Sequence, residues 1–167
     1  MKQRDEEEFR EFVAGRMEAL RGLAYLTCGD WQAAEDAVST ALSRLYVRWS
    51  RVSAPYTYAR RAVVHAAIDE TRRPWRRERS TSPDLLDRPA PDRIDAAHDH
   101  VHVREALLRV PRGQRAVLVL RFYEELSVEE TARVLGRSTG TVKSQTAKGL
   151  EALRAALGSH EFHTAIG

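Results

Sequence analysis

The segment SVEETARVLGRSTGTVKSQTAKGLEALRAAL, Ser127 to Leu157, carries start and stop signals for two consecutive helices. Ser127 and Glu130 stand at capping-box spacing, where the serine oxygen can accept from the Glu130 N–H while the carboxylate reaches back to the Ser127 N–H. Val128, Ala132 and Leu135 then repeat at helical spacing, and Gly136 can take the left-handed conformation that ends a helix. Ser138 or Thr139 can cap the second helix, which runs to Leu157. Two helices joined by so short a turn form a helix-turn-helix.

The second helix has two faces. Val142, Thr146, Leu150, Leu153 and Leu157 fall on one side, and Thr141, Ser144, Gln145 and Lys148 cluster on the other. Between Arg137 and Arg154 four bases (Arg137, Lys143, Lys148, Arg154) face one acid, Glu151. Slender hydroxyls and an amide that can approach base edges, flanked by cations for phosphates, suit entry into the DNA major groove. The plainer reading is a surface helix of a small bundle.

Upstream, helical periodicity runs through Val103, Ala106, Leu107 and Val110. Pro111 suits the first position of the next helix. In that helix Ala116, Val119, Leu120 and Tyr123 should point inward, with Arg112, Arg115 and Arg121 outward. Ser80 to Asp99 differs: Pro83, Pro89, Pro91 and five aspartates against two arginines, with scarcely any periodic apolar content, read as a flexible acidic linker. His98, His100 and His102 alternate near its end, but no Cys or further carboxylate stands at ligand spacing, so no metal site is expected.

The N-terminal part reads as three helices. Asp5 to Thr27 has acids in its first turn and a stripe of Phe9, Phe12, Val13, Met17, Leu20 and Ala24, ending before Gly29. Asp30 should cap Trp31 to Trp49, whose inward stripe is Ala34, Val38, Ala41, Leu42, Leu45, Tyr46 and Trp49. A third helix should span Tyr58 to Arg73, stopped or kinked by Pro74. From Arg60 to Arg79 seven arginines face three acids around Trp75, which is either a solvated helix end or a phosphate-and-stacking surface for nucleic acid.

These elements predict an all-α protein of two small helical lobes, residues 5–79 and 100–158, joined by a linker at 80–99. A net charge of +3, from 27 basic and 24 acidic residues, permits a polyanionic partner without demanding one. The single cysteine, Cys28, excludes an internal disulfide and suits a buried or half-buried thiol. The polar N-terminus and the lack of an apolar run near the roughly 20 residues that span a bilayer predict a cytoplasmic protein. No phosphate loop, nucleophile-base-acid order or paired carboxylate suggests an enzyme, and no cofactor is expected.

Two helical lobes, the first ending in YARRAVVHAAIDETRRPWRRE and the second containing VPRGQRAVLVLRFYEELSVEETARVLGRSTGTVKSQTAKGLEALR, resemble the extracytoplasmic-function sigma factors of bacterial RNA polymerase. The resemblance covers about Asp5 to Leu157, and GTVKSQTAKGLEALR is similar to a sigma-E-type subgroup. It implies that GDWQAAEDAVSTALSRLY meets the β′ clamp helices of core polymerase through Glu35, Asp36, Ser39, Ser43 and Arg44. Many relatives carry Gln-Glu at Ser39-Thr40. The loop Val52 to Tyr58 and the start of the third helix correspond to the segment that captures a flipped base of the −10 element. Binding energy there is converted into strand opening.

The resemblance assigns −10 and phosphate contacts to Tyr56, Tyr58, Arg60, Arg61, His65, Arg72, Arg73, Trp75, Arg76 and Arg77, with His65 standing where relatives commonly have Asn. It makes the helix-turn-helix the reader of the −35 element, through Thr141, Ser144, Gln145 and Lys148 on bases and Arg137, Thr139 and Lys143 on phosphates, with Ser138 also among the DNA-binding residues. Implied partners are core RNA polymerase, promoter DNA and, as a further candidate, a cognate anti-sigma protein. Two other readings fit parts of the chain: a stand-alone helix-turn-helix regulator, and a helical adaptor with no DNA role.

Overall fold

The computed structural model describes residues 2–72 and 98–158, which form seven α-helices and no strand. They fall into two compact units. The first holds α1 (Gln3–Cys28), α2 (Trp31–Arg48), a short 3-10 turn (Trp49–Arg51) and α3 (Pro55–Thr71). The second holds α4 (His98–Leu108), α5 (Arg112–Leu118), a π-helical turn (Val119–Tyr123), α6 (Val128–Leu135) and α7 (Thr139–Leu157). Pro74, Arg73, Trp75, Arg76, Arg77, residues 80–97 of the expected linker and the tail from 159 lie outside the described residues.

In the first unit each helix packs on the other two. Gly29 closes α1 with φ 78°, its N–H donating to Tyr25 O, and the Asp30 side chain accepts from the Gln32 and Ala33 N–H groups to open α2. That tight corner lays Trp31 flat on Tyr25, ring centroids 4.1 Å apart. Small residues on α2 (Ala34, Ala37, Ala41) and α3 (Ala59, Ala67) let the backbones approach, while Leu20, Leu23, Leu45, Val63 and Val64 fill the centre. The α1 stripe is buried only in its second half. Toward the N-terminus Phe9 and Phe12 are half-buried, both meeting Trp49, with Phe9 also meeting Tyr46 edge-on.

Three expectations for this unit are corrected. Tyr46 is not an inward residue: it is 41% exposed, with its hydroxyl donating to Glu6. Ala33 and Ala37 take its place inside, because the buried arc of α2 is turned toward α3 as well as α1. The third helix starts at Pro55 rather than Tyr58, since proline fits the first helical position, where its missing N–H is not needed. It ends at Thr71, with Arg72 as its cap.

In the second unit α4 already begins at His98, five residues before the expected restart at Val103. Pro111 is the N-cap of α5, not its first residue. The helix does not continue regularly to Tyr123. After Leu118 it widens into the π turn, which keeps Val119 and Leu120 inside while leaving Phe122 55% exposed. Arg115 is corrected from outward to inward. It is 6% exposed, and its Nη1 donates to Leu108 O at 2.8 Å, satisfying a carbonyl at the end of α4 that the helix itself leaves open. Leu118, Leu153 and Leu157 join Ala106 and Val110 in one cluster that ties α5 and α7 to the α4 segment. Gly149 is buried where α7 crosses Leu118; a Cβ there would stand 3.0 Å from the Leu118 Cγ. No helix among the described residues is long and apolar enough to cross a membrane.

Candidate nucleic-acid interface

Both bonds of the capping box at the start of α6 are present: the Glu130 N–H donates to Ser127 Oγ at 3.0 Å, and the Ser127 N–H donates to Glu130 Oε2 at 3.3 Å. Thr131, Ala132, Val134 and Leu135 bury this helix, and Gly136 ends it with φ 65° and ψ 38°. Of the two capping candidates, Ser138 caps α7: its Oγ accepts from the Thr141 N–H at 3.1 Å and donates to Thr141 Oγ1 at 2.9 Å. Val142, in the first turn of α7, is fully buried, and α7 packs on α6. The opposite side of that helix therefore faces outward.

On it Ser138, Thr139, Thr141, Lys143, Ser144 and Lys148 are exposed. Arg137 and Gln145 differ. Both are half-buried, and Arg137 Nη1 donates to Gln145 Oε1 at 2.7 Å and to Gly113 O at 3.2 Å, spanning from the turn to α7 and α5. The outward surface is thus a row of hydroxyls and two lysines with one amide held at its edge. Gly113 belongs to this cluster and carried no signal in the sequence, because its contact comes from residues 24 and 32 positions away.

A second patch lies on α3 and the turn before it. Tyr58, Arg61, His65 and Arg72 follow one another at helical spacing with Arg61 and Arg72 exposed, and Arg72 faces Asp69 at 3.9 Å in an open pair. Tyr56 and Arg60 turn aside: the guanidiniums of Arg16 and Arg60 lie 4.7 and 5.6 Å from the Tyr56 ring centre. Next to Tyr58 an open depression of about 630 Å³ is lined by Val47, Arg48, Ser50, Arg51 and Val52. Arg48 and Arg51 bring two further cations, which carry no signal in the sequence because they sit at the end of α2 and in the 3-10 turn rather than in the arginine-rich run.

A third surface is the outer side of α2. Asp36, Ser39, Ser43 and Arg44 are exposed there, continued by Val47 at 81% exposure. Glu35 stands at the border, accepting from Arg21 at 3.1 Å. The three surfaces therefore collect small polar groups, arginines and a bare aliphatic residue on otherwise well-packed helices, with no cleft of convergent acid-base groups among the described residues.

Comparison with known families matches the Sigma-70 region 2 model to residues 13–77 and the Sigma-70, region 4 model to residues 100–153. The RNA polymerase sigma-E factor of Streptomyces coelicolor is 35% identical over 154 residues, spanning 88% of this chain and 84% of that protein. The chain belongs to the sigma-70 family. It is a sigma factor of the extracytoplasmic-function branch, a transcription initiation factor that directs promoter recognition, and not an enzyme. The sigma-E factor of Streptomyces avermitilis is 35% identical across 93% of this chain and 88% of its own length, and the ECF sigma factor SigM of Mycobacterium tuberculosis is 32% identical across 83% and 71%. Among solved structures, the sigma factor RpoE of Bartonella quintana, crystallised with the anti-sigma factor NepR, shares the fold with a TM-score of 0.69 at 21% identity, over 90% of this chain and 97% of that one. The region 2 match covers α2, α3 and the greater part of α1, and the region 4 match ends within α7 of this sigma factor.

Proposed function

We propose that this sigma factor divides promoter reading between its two units, residues 5–79 serving core polymerase and the −10 element and residues 100–158 the −35 element. The observation that carries this reading is the doubly capped helix-turn-helix whose second helix exposes Thr141, Lys143, Ser144 and Lys148 together. Hydroxyls and lysines on a rigid helix face can reach base edges and phosphates of duplex DNA, with Ser138 and Thr139 at the helix start close to the backbone. Gln145 reads a base at the edge of this row, and Arg137 steadies it.

In the first unit, Tyr58 and the depression beside it receive a base displaced from the opened strand, and Arg61, His65 and Arg72 follow that strand. Arg48 and Arg51 add phosphate contacts at the rim. Tyr56, with the guanidiniums of Arg16 and Arg60 near its ring, supports this surface from the side. Arg73, Trp75, Arg76 and Arg77 continue the same basic stretch in sequence. The outer face of α2, with Asp36, Ser39, Ser43, Arg44 and the bordering Glu35, meets the β′ clamp helices of core polymerase. The factor acts in the cytoplasm, and an anti-sigma protein is a further partner by analogy with the Bartonella quintana complex.

In vitro transcription with core polymerase, on templates randomised at both promoter elements, tests the whole reading. The expected result is a selected pair of elements at one spacing and no specific transcript from core alone. Equal sequence preference on duplex DNA with and without polymerase would instead make the chain a stand-alone regulator.

A further inference from the structure

The link between Arg137 and Gln145 bears on which base the helix-turn-helix can choose. A guanidinium only donates, so the amide atom facing Arg137 at 2.7 Å is the carbonyl oxygen, and the orientation of the Gln145 amide is set. The second Nη1 hydrogen goes to Gly113 O at 3.2 Å, which anchors the guanidinium to α5. The other end of the amide lies against Gly113, where a Cβ would come within 3.3 Å of Gln145 Nε2. Among the described residues Nε2 donates to no protein group, and it is not sealed from solvent. Gln145 therefore offers its surroundings free N–H donors and a carbonyl oxygen already turned to a cation.

Glutamine recognises adenine by two bonds, accepting from N6 through its oxygen and donating to N7 through its nitrogen. That mode needs the oxygen to face the groove. Here, turning it outward would forfeit a charge-assisted bond, one of the stronger kinds. The donors alone suit an edge made of acceptors, and guanine, with O6 and N7, presents two of them side by side.

We propose that Arg137 is a positioning residue for specificity: by occupying the Gln145 carbonyl from within the protein, it makes Gln145 a donor-only reader that selects guanine over adenine at one −35 base pair. The inference rests on the reading of α7 as the −35 helix. Gly113 is part of the device, because its missing side chain leaves room for the amide in this orientation.

The test is selection from a duplex library randomised across the −35 region, using the full chain bound to core polymerase. Gln145→Ala identifies the base pair by flattening preference there. At that pair the unaltered protein should favour guanine over adenine by roughly tenfold or more, the scale of one good side-chain to base recognition. Arg137→Met frees the carbonyl and should shift the ratio toward adenine by about tenfold, whereas Arg137→Lys, which still donates, should largely restore it. Gly113→Ala would bring a Cβ to 3.3 Å from Gln145 Nε2 and should disturb that same pair and no other. Uniform weakening of all sequences by Arg137→Met, with the ratio unchanged, would overturn the positioning role while leaving the −35 reading intact. Adenine preference in the unaltered protein would overturn it as well. If Gln145→Ala flattens no position, base reading by Gln145 and the inference fall together.

Discussion

Gly149→Ala sets two opposing effects against each other at a buried helix crossing. In an unhindered helix interior the exchange of glycine for alanine stabilises by about 1 kcal/mol, because glycine loses the most backbone freedom on folding. At Gly149 the new Cβ would stand 3.0, 3.1 and 3.2 Å from the Cγ, Cδ1 and Cδ2 atoms of Leu118. Carbon atoms in good contact are roughly 3.5–4.0 Å apart, so three contacts are too short at once. Leu118 has little room to yield, being 3% exposed and enclosed by Ala106, Val110, Leu153 and Leu157. Overpacking of this kind costs about 1–3 kcal/mol, which outweighs the propensity gain and leaves a net destabilisation of about 1 kcal/mol. Urea unfolding followed by far-UV circular dichroism should show the midpoint falling by roughly 0.3–1 M, given a slope of about 1–3 kcal/mol per molar. Tryptophan fluorescence is an internal control: Trp31 and Trp49 lie in the first unit, and the second has no tryptophan, so that transition should stay in place. In a Leu118→Ala background the clash is gone, and Gly149→Ala should become stabilising by up to about 1 kcal/mol. A rise of the midpoint in the unaltered background, or the same loss with and without Leu118, would refute the close-approach explanation.

Ser127→Ala removes the hydroxyl that accepts from the Glu130 N–H, while the backbone N–H at position 127 can still donate to Glu130; it should cost about 1 kcal/mol, read as a lower midpoint in the same dichroism experiment. Arg115→Met keeps much of the packing volume but leaves the Leu108 carbonyl without its charged donor; a loss of about 1.5–3 kcal/mol is expected, and a neutral result would place Arg115 at the surface after all. Arg72→Ala should reduce the slope of log affinity against log salt for promoter binding by about 0.7–0.9, as one phosphate contact is lost, and an unchanged slope would exclude that contact. Gln145→Ala should remove about 1–3 kcal/mol of discrimination at a single −35 position, measured by competition between matched and mismatched duplexes.

The amino-acid sequence by itself determined where most helices begin and end. Asp30, Ser127 with Glu130, Gly29, Gly136 and Ser138 act within a few residues of where they stand, so the chain needs no tertiary partner to display those signals. It also determined the all-α class and the outward row of Thr141, Lys143, Ser144 and Lys148, because a strong apolar stripe on α7 leaves only one side for them. Where the periodicity was weak or covered several sides, the local pattern failed. Arg115 looked like an outward cation, yet the open carbonyl of Leu108 draws it inside; Tyr46 looked like core, yet α2 turns its smaller residues to the centre. The fate of Arg137 and Gln145 was decided only by the tertiary structure. Both belong to a polar surface by spacing, but the meeting of α5 with the helix-turn-helix brings the Gly113 carbonyl beneath the guanidinium and gives the Gln145 oxygen a cation to face. Hydrogen bonds between residues 24 positions apart leave no periodic trace along a chain; they exist only once the packing of buried side chains has set the distance between the elements that carry them.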